Sequence, residues 1–151
     1  MLYVIIGILL LGTDIATKLF ATQYLKPVGA LPLWEGVFHL TYVENRGAAF
    51  GLMQGGRVFF IVISLVIIVA IFYFAKKYKN SSRCLNCSLM LIVAGAIGNF
   101  LDRIFRGFVV DFFDFCLIDF PVFNMADIFL CVGAGLLIIF IIFFEGKNNE
   151  D

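Results

Sequence analysis

Charge is scarce in this chain: 15% of its residues are Asp, Glu, Lys or Arg, against roughly 25% in an ordinary soluble domain. The 11 basic and 11 acidic side chains cancel, so no field of one sign exists to attract phosphates, and nucleic acid is excluded as a partner. Proline occurs three times in 151 residues. No linker composition and no internal repeat divides the chain, which reads as one domain over 1–151. There is one histidine, and the four cysteines offer a single C-x-x-C pair, Cys84 and Cys87. A zinc site requires a second pair or neighbouring histidines. No metal ligand and no cofactor is therefore assigned, and Cys116 and Cys131 read as small apolar fillers.

What the chain has instead is apolar residues, 62% of the total, where roughly 45–50% is usual. Too few polar groups remain to cover a soluble surface, so this is an integral membrane protein. Val58–Ala75 and Cys84–Leu101 are each 18 residues without a charge, and Ile128–Phe144 is 17. At about 1.5 Å per residue these runs approach the ~30 Å hydrocarbon thickness of a bilayer. A fourth run from Leu2 to Leu25 is interrupted by Asp14 and Lys18. It lacks the basic residues and cleavage site of a signal peptide and reads as a retained helix. The fold expected is an all-α membrane protein with spanning helices over about 2–25, 58–75, 84–105 and 123–144. Continuous apolar runs exclude a β-barrel, whose strands alternate in polarity.

Lys76, Lys77, Lys79 and Arg83 crowd one short loop, which positive-inside counting places in the cytoplasm. Both termini are then cytoplasmic, and the segment 26–57 lies on the outer side. That segment holds Pro27, Pro32, Gly36, Gly47 and Gly51, and its Val37–Val43 stretch alternates as a strand does. A small β-containing cradle or lid between helices 1 and 2 is expected there.

The polar residues inside the runs share one depth. Asp14 lies 12 residues from Leu2, roughly 18 Å along helix 1. Asn99 lies 16 residues beyond Arg83, about 24 Å from the inner face, with Asp102 and Arg103 just above it. Asp127 lies 18 residues before Glu145, about 27 Å above that face. Gly95, Asn99, Asp102, Arg103 and Arg106 recur at three and four residues and form one polar stripe on helix 3. Asn124 and Asp127 share a face that Cys131 and Ala134 continue as small packing residues.

Plain structural readings exist for several of these groups. Asp14 and Lys18, at i and i+4 in the acid-before-base order, form an ion pair at a helix end. Asp114 and Asp119 face water in the outer loop, and His39 packs against the surface strand without a nucleophile to serve. Asp127 is different, because a carboxylate at the membrane edge requires a partner and its own helix offers no Lys or Arg. If Asp111 and Asp127 meet, their repulsion prevents both from ionising together. One then acts as base on a water while the other, protonated, polarises an amide carbonyl. A proton- or ion-coupled transporter using the aspartates as a relay is the alternative, as is a non-enzymatic assembly factor.

The blocks D-I-A-T-K (Asp14–Lys18), N-R-G-A-A-F-G (Asn45–Gly51), A-G-A-I-G-N-F-L-D-R (Ala94–Arg103), G-F-V-V-D-F (Gly107–Phe112) and F-N-M-A-D (Phe123–Asp127) stand in this order on four helices. The arrangement resembles the lipoprotein signal peptidases, the type II signal peptidases of bacteria, over nearly the whole chain. Ala94 stands where the family often has glycine. The resemblance implies an aspartic endopeptidase that cleaves a prolipoprotein before a cysteine bearing a diacylglyceryl group. It implies no cofactor, and it places the site at the outer face of the bacterial cytoplasmic membrane, in contact with membrane lipid. It assigns Asp111 and Asp127 as the catalytic pair, with Asn45, Asn99, Arg103 and Asn124 holding substrate or orienting the pair. Asp14, Lys18, Asp102 and Gly47 become structural supports, and cyclic-peptide antibiotics such as globomycin become expected inhibitors.

The topology is open to test by thiol labelling of intact cells. In a Cys-free background, a membrane-impermeant reagent is expected to label Gln54→Cys and to miss Asn80→Cys. The opposite pattern inverts the depth argument.

Overall fold

A computed structural model describes residues 1–47, 56–77, 82–118 and 120–145, with only the backbone given for 144 and 145. Helix α1 (Leu2–Phe20) continues through a π-helical turn, Ala21–Leu25, into strands β1 (Ala30–Trp34) and β2 (Phe38–Asn45). Helices α2 (Arg57–Lys77) and α3 (Arg83–Phe105) follow, then strand β3 (Val109–Asp114) and helix α4 (Met125–Phe140), which ends in a second π-helical turn, Ile141–Glu145. Four of these segments are long and apolar enough to cross a membrane: Leu2–Leu25, Arg57–Lys77, Arg83–Phe105 and Met125–Phe143. The polarity is inverted relative to a soluble protein. Along α2 only Ile71 is buried, while the fully buried side chains include Lys18, Asn124, Asp14 and Asp111. In hydrocarbon an apolar surface loses nothing by exposure, whereas a polar group must find its partners inside the protein.

Helix α3 is the hub, with α1, α2 and α4 packed on it. Its small residues make this possible. A Cβ on Gly95 would collide with the Ala126 carbonyl oxygen and Leu130, and one on Gly133 of α4 would lie 2.7 Å from Ile92 Cγ1. The close α3–α4 approach therefore runs along Gly95, Ile92 and Gly133. Cys131 and Ala134, expected on the packing face, are exposed instead. The reason is rotational: Ala126, Phe129, Gly133 and Phe140 are the buried row of α4, and Cys131 and Ala134 lie off it.

The three strands form one antiparallel sheet in the order β1-β2-β3. The cradle anticipated between helices 1 and 2 thus takes its third strand from the α3–α4 connection. β3 can reach it because α3 stops abruptly. Gly107 adopts φ +84° and its N–H donates to Asp102 O at 3.2 Å, a C-terminal turn that glycine enters without a Cβ penalty. Helix α4 starts at Met125 rather than at Phe123, because Asn124 caps it and Phe123 pairs with Phe113 of β3 (N–H to O 3.0 Å, with the return bond at 2.8 Å). Val110 and Phe112 of β3 bury against Ala21 and Leu25 below the sheet.

Gly95→Ala is expected to destabilise the helix bundle by roughly 1–3 kcal/mol through overpacking. Gly135→Ala, whose Cβ meets nothing within 4 Å, is expected to be neutral or slightly stabilising by helix propensity. Thermal unfolding in detergent compares the two.

Candidate active site

The site is built upward from one buried cation. Lys18 is 1% exposed, and its ammonium lies 2.9 Å from Asp14 Oδ2 and 3.3 Å from Asp102 Oδ2. It also donates to Asn99 Oδ1 at 3.0 Å. The Asp14 contact is an ion pair set off the hydrogen-bond line, since Asp14 Oδ2 accepts no hydrogen bond. Asp14 Oδ1 accepts from Ala126 N–H at 2.9 Å, so a carboxylate on α1 satisfies a first-turn amide of α4. A Cβ on Gly98 would collide with Asp14 Oδ2, which explains a glycine at that point of α3. Asp102 Oδ2 accepts from Val110 N–H at 3.1 Å and its Oδ1 faces Arg106 Nε at 3.0 Å, fixing the entry to β3.

Above this cluster three asparagines hold two carboxylates. Asn99 Nδ2 donates to Asp127 Oδ1 at 2.7 Å. Its orientation follows from its partners: Lys18 can only donate, so the amide oxygen faces Lys18 and the nitrogen faces Asp127. Asn124 Nδ2 donates to Asp111 Oδ1 at 2.6 Å and to Asn99 Oδ1 at 3.2 Å. Asn45 Nδ2 donates to Asp111 Oδ2 at 2.8 Å, and Asn45 is steadied by the Gly47 N–H donating to its Oδ1 at 3.0 Å. Asn124 and Asp127 also form a capping box: Asp127 N–H donates to Asn124 Oδ1 and Asn124 N–H donates to Asp127 Oδ2, both at 3.1 Å. One residue, Asn124, therefore bonds both carboxylates at once.

Asp111 is 2% exposed, and its carboxyl is pushed up from an ordinary 3.8 to about 7. Burial is the main cause, followed by the charge of Asp127, with the bonds from Asn45 and Asn124 pulling the other way. Asp111, Asp127, Asn45, Asn99, Arg103 and Gly47 line a cavity of about 520 Å³ whose remaining wall is apolar, including Phe123, Ile128 and Val132. Arg103 donates to Asn99 O at 3.3 Å and to Gly47 O at 3.5 Å, with its guanidinium 5.0 Å from the Phe60 ring centre. Such a cavity can hold an extended peptide beside two carboxyl groups.

The structure brings together Asp111, Asp127, Asn45, Asn99, Arg103 and Gly47 around the cavity, with Asn124 buried against the two carboxylates and Asp14, Lys18 and Asp102 clustered on Asn99 and the entry to β3. Other expectations change. Asp114 does not stand free in water: it is half-buried in β3 and accepts from Thr41 Oγ1 at 2.6 Å. Its carboxylate, His39 and Cys116 place ligand atoms within 4.8 Å of one another. Asp119 and residues 48–51 of the N-R-G-A-A-F-G block lie outside the described residues. Arg57 went unnoticed in the sequence. It donates to Arg103 O and Ile104 O at 2.8 and 2.9 Å, and only an N-terminal helix arginine beside a distant helix end hints at it. The capping box of Asn124 and Asp127 fixes the start of α4 at Met125.

The chain matches known proteins over most of its length. A family model described as signal peptidase (SPase) II matches residues 6–143. The chain is 45% identical to a lipoprotein signal peptidase of Clostridioides difficile (strain 630), covering 99% of this chain and 100% of that one. It is 50% identical to a lipoprotein signal peptidase of Caldanaerobacter subterraneus subsp. tengcongensis, over 84% of this chain and 88% of the relative. A bacterial membrane enzyme solved by the in meso method at 2.3 Å superposes with a TM-score of 0.86 at 32% identity, over 99% of this chain and 91% of that one.

The raised Asp111 carboxyl has a consequence for stability. An unfolded aspartate ionises near 3.9, so between there and about 7 the folded protein binds more protons than the unfolded chain. The stabilising contribution is complete below the lower value and is lost as pH rises through the upper one. The unfolding temperature in detergent is expected to fall between about pH 4 and pH 7, with a visibly shallower fall in Asp111→Asn. Equal slopes in the two proteins would contradict the buried, proton-holding carboxyl.

Proposed function

The chain belongs to the signal peptidase II family and is a multi-pass membrane peptidase that removes signal peptides from lipoproteins, and from that premise we propose an aspartic mechanism centred on Asp111 and Asp127. The observation that carries it is the double attachment of Asn124, which holds the two carboxylates at one cavity. Asp111, whose carboxyl keeps its proton up to about 7, is the acid. The role of base falls to Asp127, because two carboxylates at one site do not ionise together.

Asp127 takes a proton from a water as the water oxygen bonds to the scissile carbonyl carbon. Asp111 gives its proton to the carbonyl oxygen, yielding a neutral tetrahedral diol. As the C–N bond breaks, Asp127 returns its proton to the leaving amine and Asp111 recovers one from the collapsing hydroxyl. Each carboxyl ends as it began. Asn45 and Asn99 orient the pair, while Arg103 points its guanidinium toward the substrate backbone. Lys18, Asp14 and Asp102 hold these groups in place from below, and Gly47 shapes the rim.

The substrate is a prolipoprotein cut before its diacylglyceryl-modified cysteine, with acyl chains and membrane lipid meeting the apolar wall of Phe123, Ile128 and Val132. The site opens at the outer face of the bacterial cytoplasmic membrane, and both termini are cytoplasmic. A cyclic peptide of the globomycin type competes for the same cavity.

Asp111→Asn and Asp127→Asn keep the size of the side chain but neither takes nor gives the proton. Each is expected to lose roughly 10²–10⁴-fold in cleavage of a diacylglyceryl-modified precursor. The double variant should be little worse than either single, since the pair acts as a unit. Asp114→Asn is expected to cleave near the parental rate. Parental cleavage by either dyad variant would end the aspartic reading.

A further inference from the structure

The sheet carries a second cluster of chemistry that the peptidase site does not use. His39 on β2 and Asp114 on β3 are cross-strand partners, and directly opposed residues hold their Cβ atoms roughly 4.5–5.5 Å apart. Cys116 follows two residues on, in the 3₁₀ turn Cys116–Ile118. The ligand atoms of all three lie within 4.8 Å of one another, and all three residues are half-buried. We infer that His39, Asp114 and Cys116 form a binding site for a divalent transition cation of the zinc type.

The donor chemistry is that of zinc: one imidazole nitrogen, one carboxylate oxygen and one thiolate, with a fourth position left to water. Bonds of about 2.0–2.3 Å in a tetrahedron set ligand atoms roughly 3.3–3.8 Å apart, so the three donors close by an ångström or so on binding. A thiolate and a carboxylate neutralise the dication, and the thiol proton leaves to bulk water. The surroundings hold the donors in place. Thr41 Oγ1 donates to Asp114 Oδ2 at 2.6 Å, which orients the carboxylate and leaves Oδ1 for the cation. The Phe38 and Phe115 rings pack at a tilt across the same two segments with centroids 4.8 Å apart. Leu117 N–H donates to Val37 O at 3.4 Å, tying the turn that carries Cys116 to the start of β2. On binding, His39 gives up a long bond accepted from Gly36 N–H at 3.3 Å, and the Cys116 thiol gives up its bond to Asp114 O at 3.9 Å. A bound cation clips β2 to β3, the strands that carry Asn45 and Asp111, without touching either residue.

The test uses the full chain in detergent, washed free of metal, with Cys84, Cys87 and Cys131 replaced by Ser so that Cys116 is its single thiol. Equilibrium dialysis against Zn²⁺ is expected to leave one Zn²⁺ per chain, and Co²⁺ is expected to produce a thiolate charge-transfer band. His39→Ala, Asp114→Asn and Cys116→Ser should each abolish the band while still cleaving precursor, which reports that they are folded. Thr41→Val should weaken binding about 10–100-fold. Independently of these variants, Zn²⁺ should slow alkylation of Cys116 in the single-thiol protein. No stoichiometric Zn²⁺, an unchanged alkylation rate, or a Co²⁺ band that survives all three substitutions overturns the site. Because the readouts are binding and spectroscopy, failure here leaves the peptidase reading untouched, and loss of peptidase activity leaves this one standing.

Discussion

Everything at the sheet end of this bundle depends on keeping one ammonium, that of Lys18, out of the hydrocarbon. A lone charge within a spanning helix is unfavourable by roughly 2.5–3.5 kcal/mol or more at the bilayer centre, and removing one partner of a buried pair leaves the other uncompensated. Lys18 is stable only where Asp14, Asp102 and Asn99 converge on it. That convergence exists only when α1 lies against α3. Asp14 extends the constraint to α4 through the Ala126 amide, and Asp102 extends it to β3 through the Val110 amide. The elements that carry the two carboxylates of the cavity are thus positioned by the partners of a single cation.

The same network passes orientation upward. Because Lys18 takes the oxygen of Asn99, the nitrogen faces Asp127. Because Asn124 is bonded to Asn99 Oδ1, its amide nitrogen also reaches Asp111. The capping box at the start of α4 serves two ends. It satisfies amides that a helix N-terminus leaves open, and it sets Asp127 where the helix dipole favours a carboxylate. Asp111, arriving on a buried strand, lacks that favourable setting and holds its proton instead. Two identical side chains thus reach one cavity from different elements, a buried strand and a helix N-terminus.

The helices were legible because their signal is local. Uncharged runs of 17–18 residues have one stable solution in a bilayer, and the depth of each polar residue follows from its distance along the run. The ion pair of Asp14 and Lys18, four residues apart, was legible for the same reason. The third strand was not. Val109–Asp114 becomes a strand because β2 offers an open edge and Gly107 turns the chain toward it, and neither condition is visible within six residues. Nor was the packing row of α4: a three-and-four spacing through Asn124, Asp127, Cys131 and Ala134 describes one face equally well as another, and the choice fell to the row whose Gly133 admits Ile92 of α3.

Composition, run length and block order are properties of the chain in one dimension, and they were enough to specify a membrane protein, its four spans and the family it resembles. The meeting of Asn45, Asn99 and Asn124 on two carboxylates is of another kind. Those bonds join residues separated by up to 66 positions, and amides bear no periodicity that would announce their partners. Likewise His39, Asp114 and Cys116, each unremarkable in sequence, become a set of donors only when β2 and β3 pair. Local preferences act over a few residues and can be read from them, whereas hydrogen bonds and ion pairs across helices exist only after buried charge has drawn those helices together.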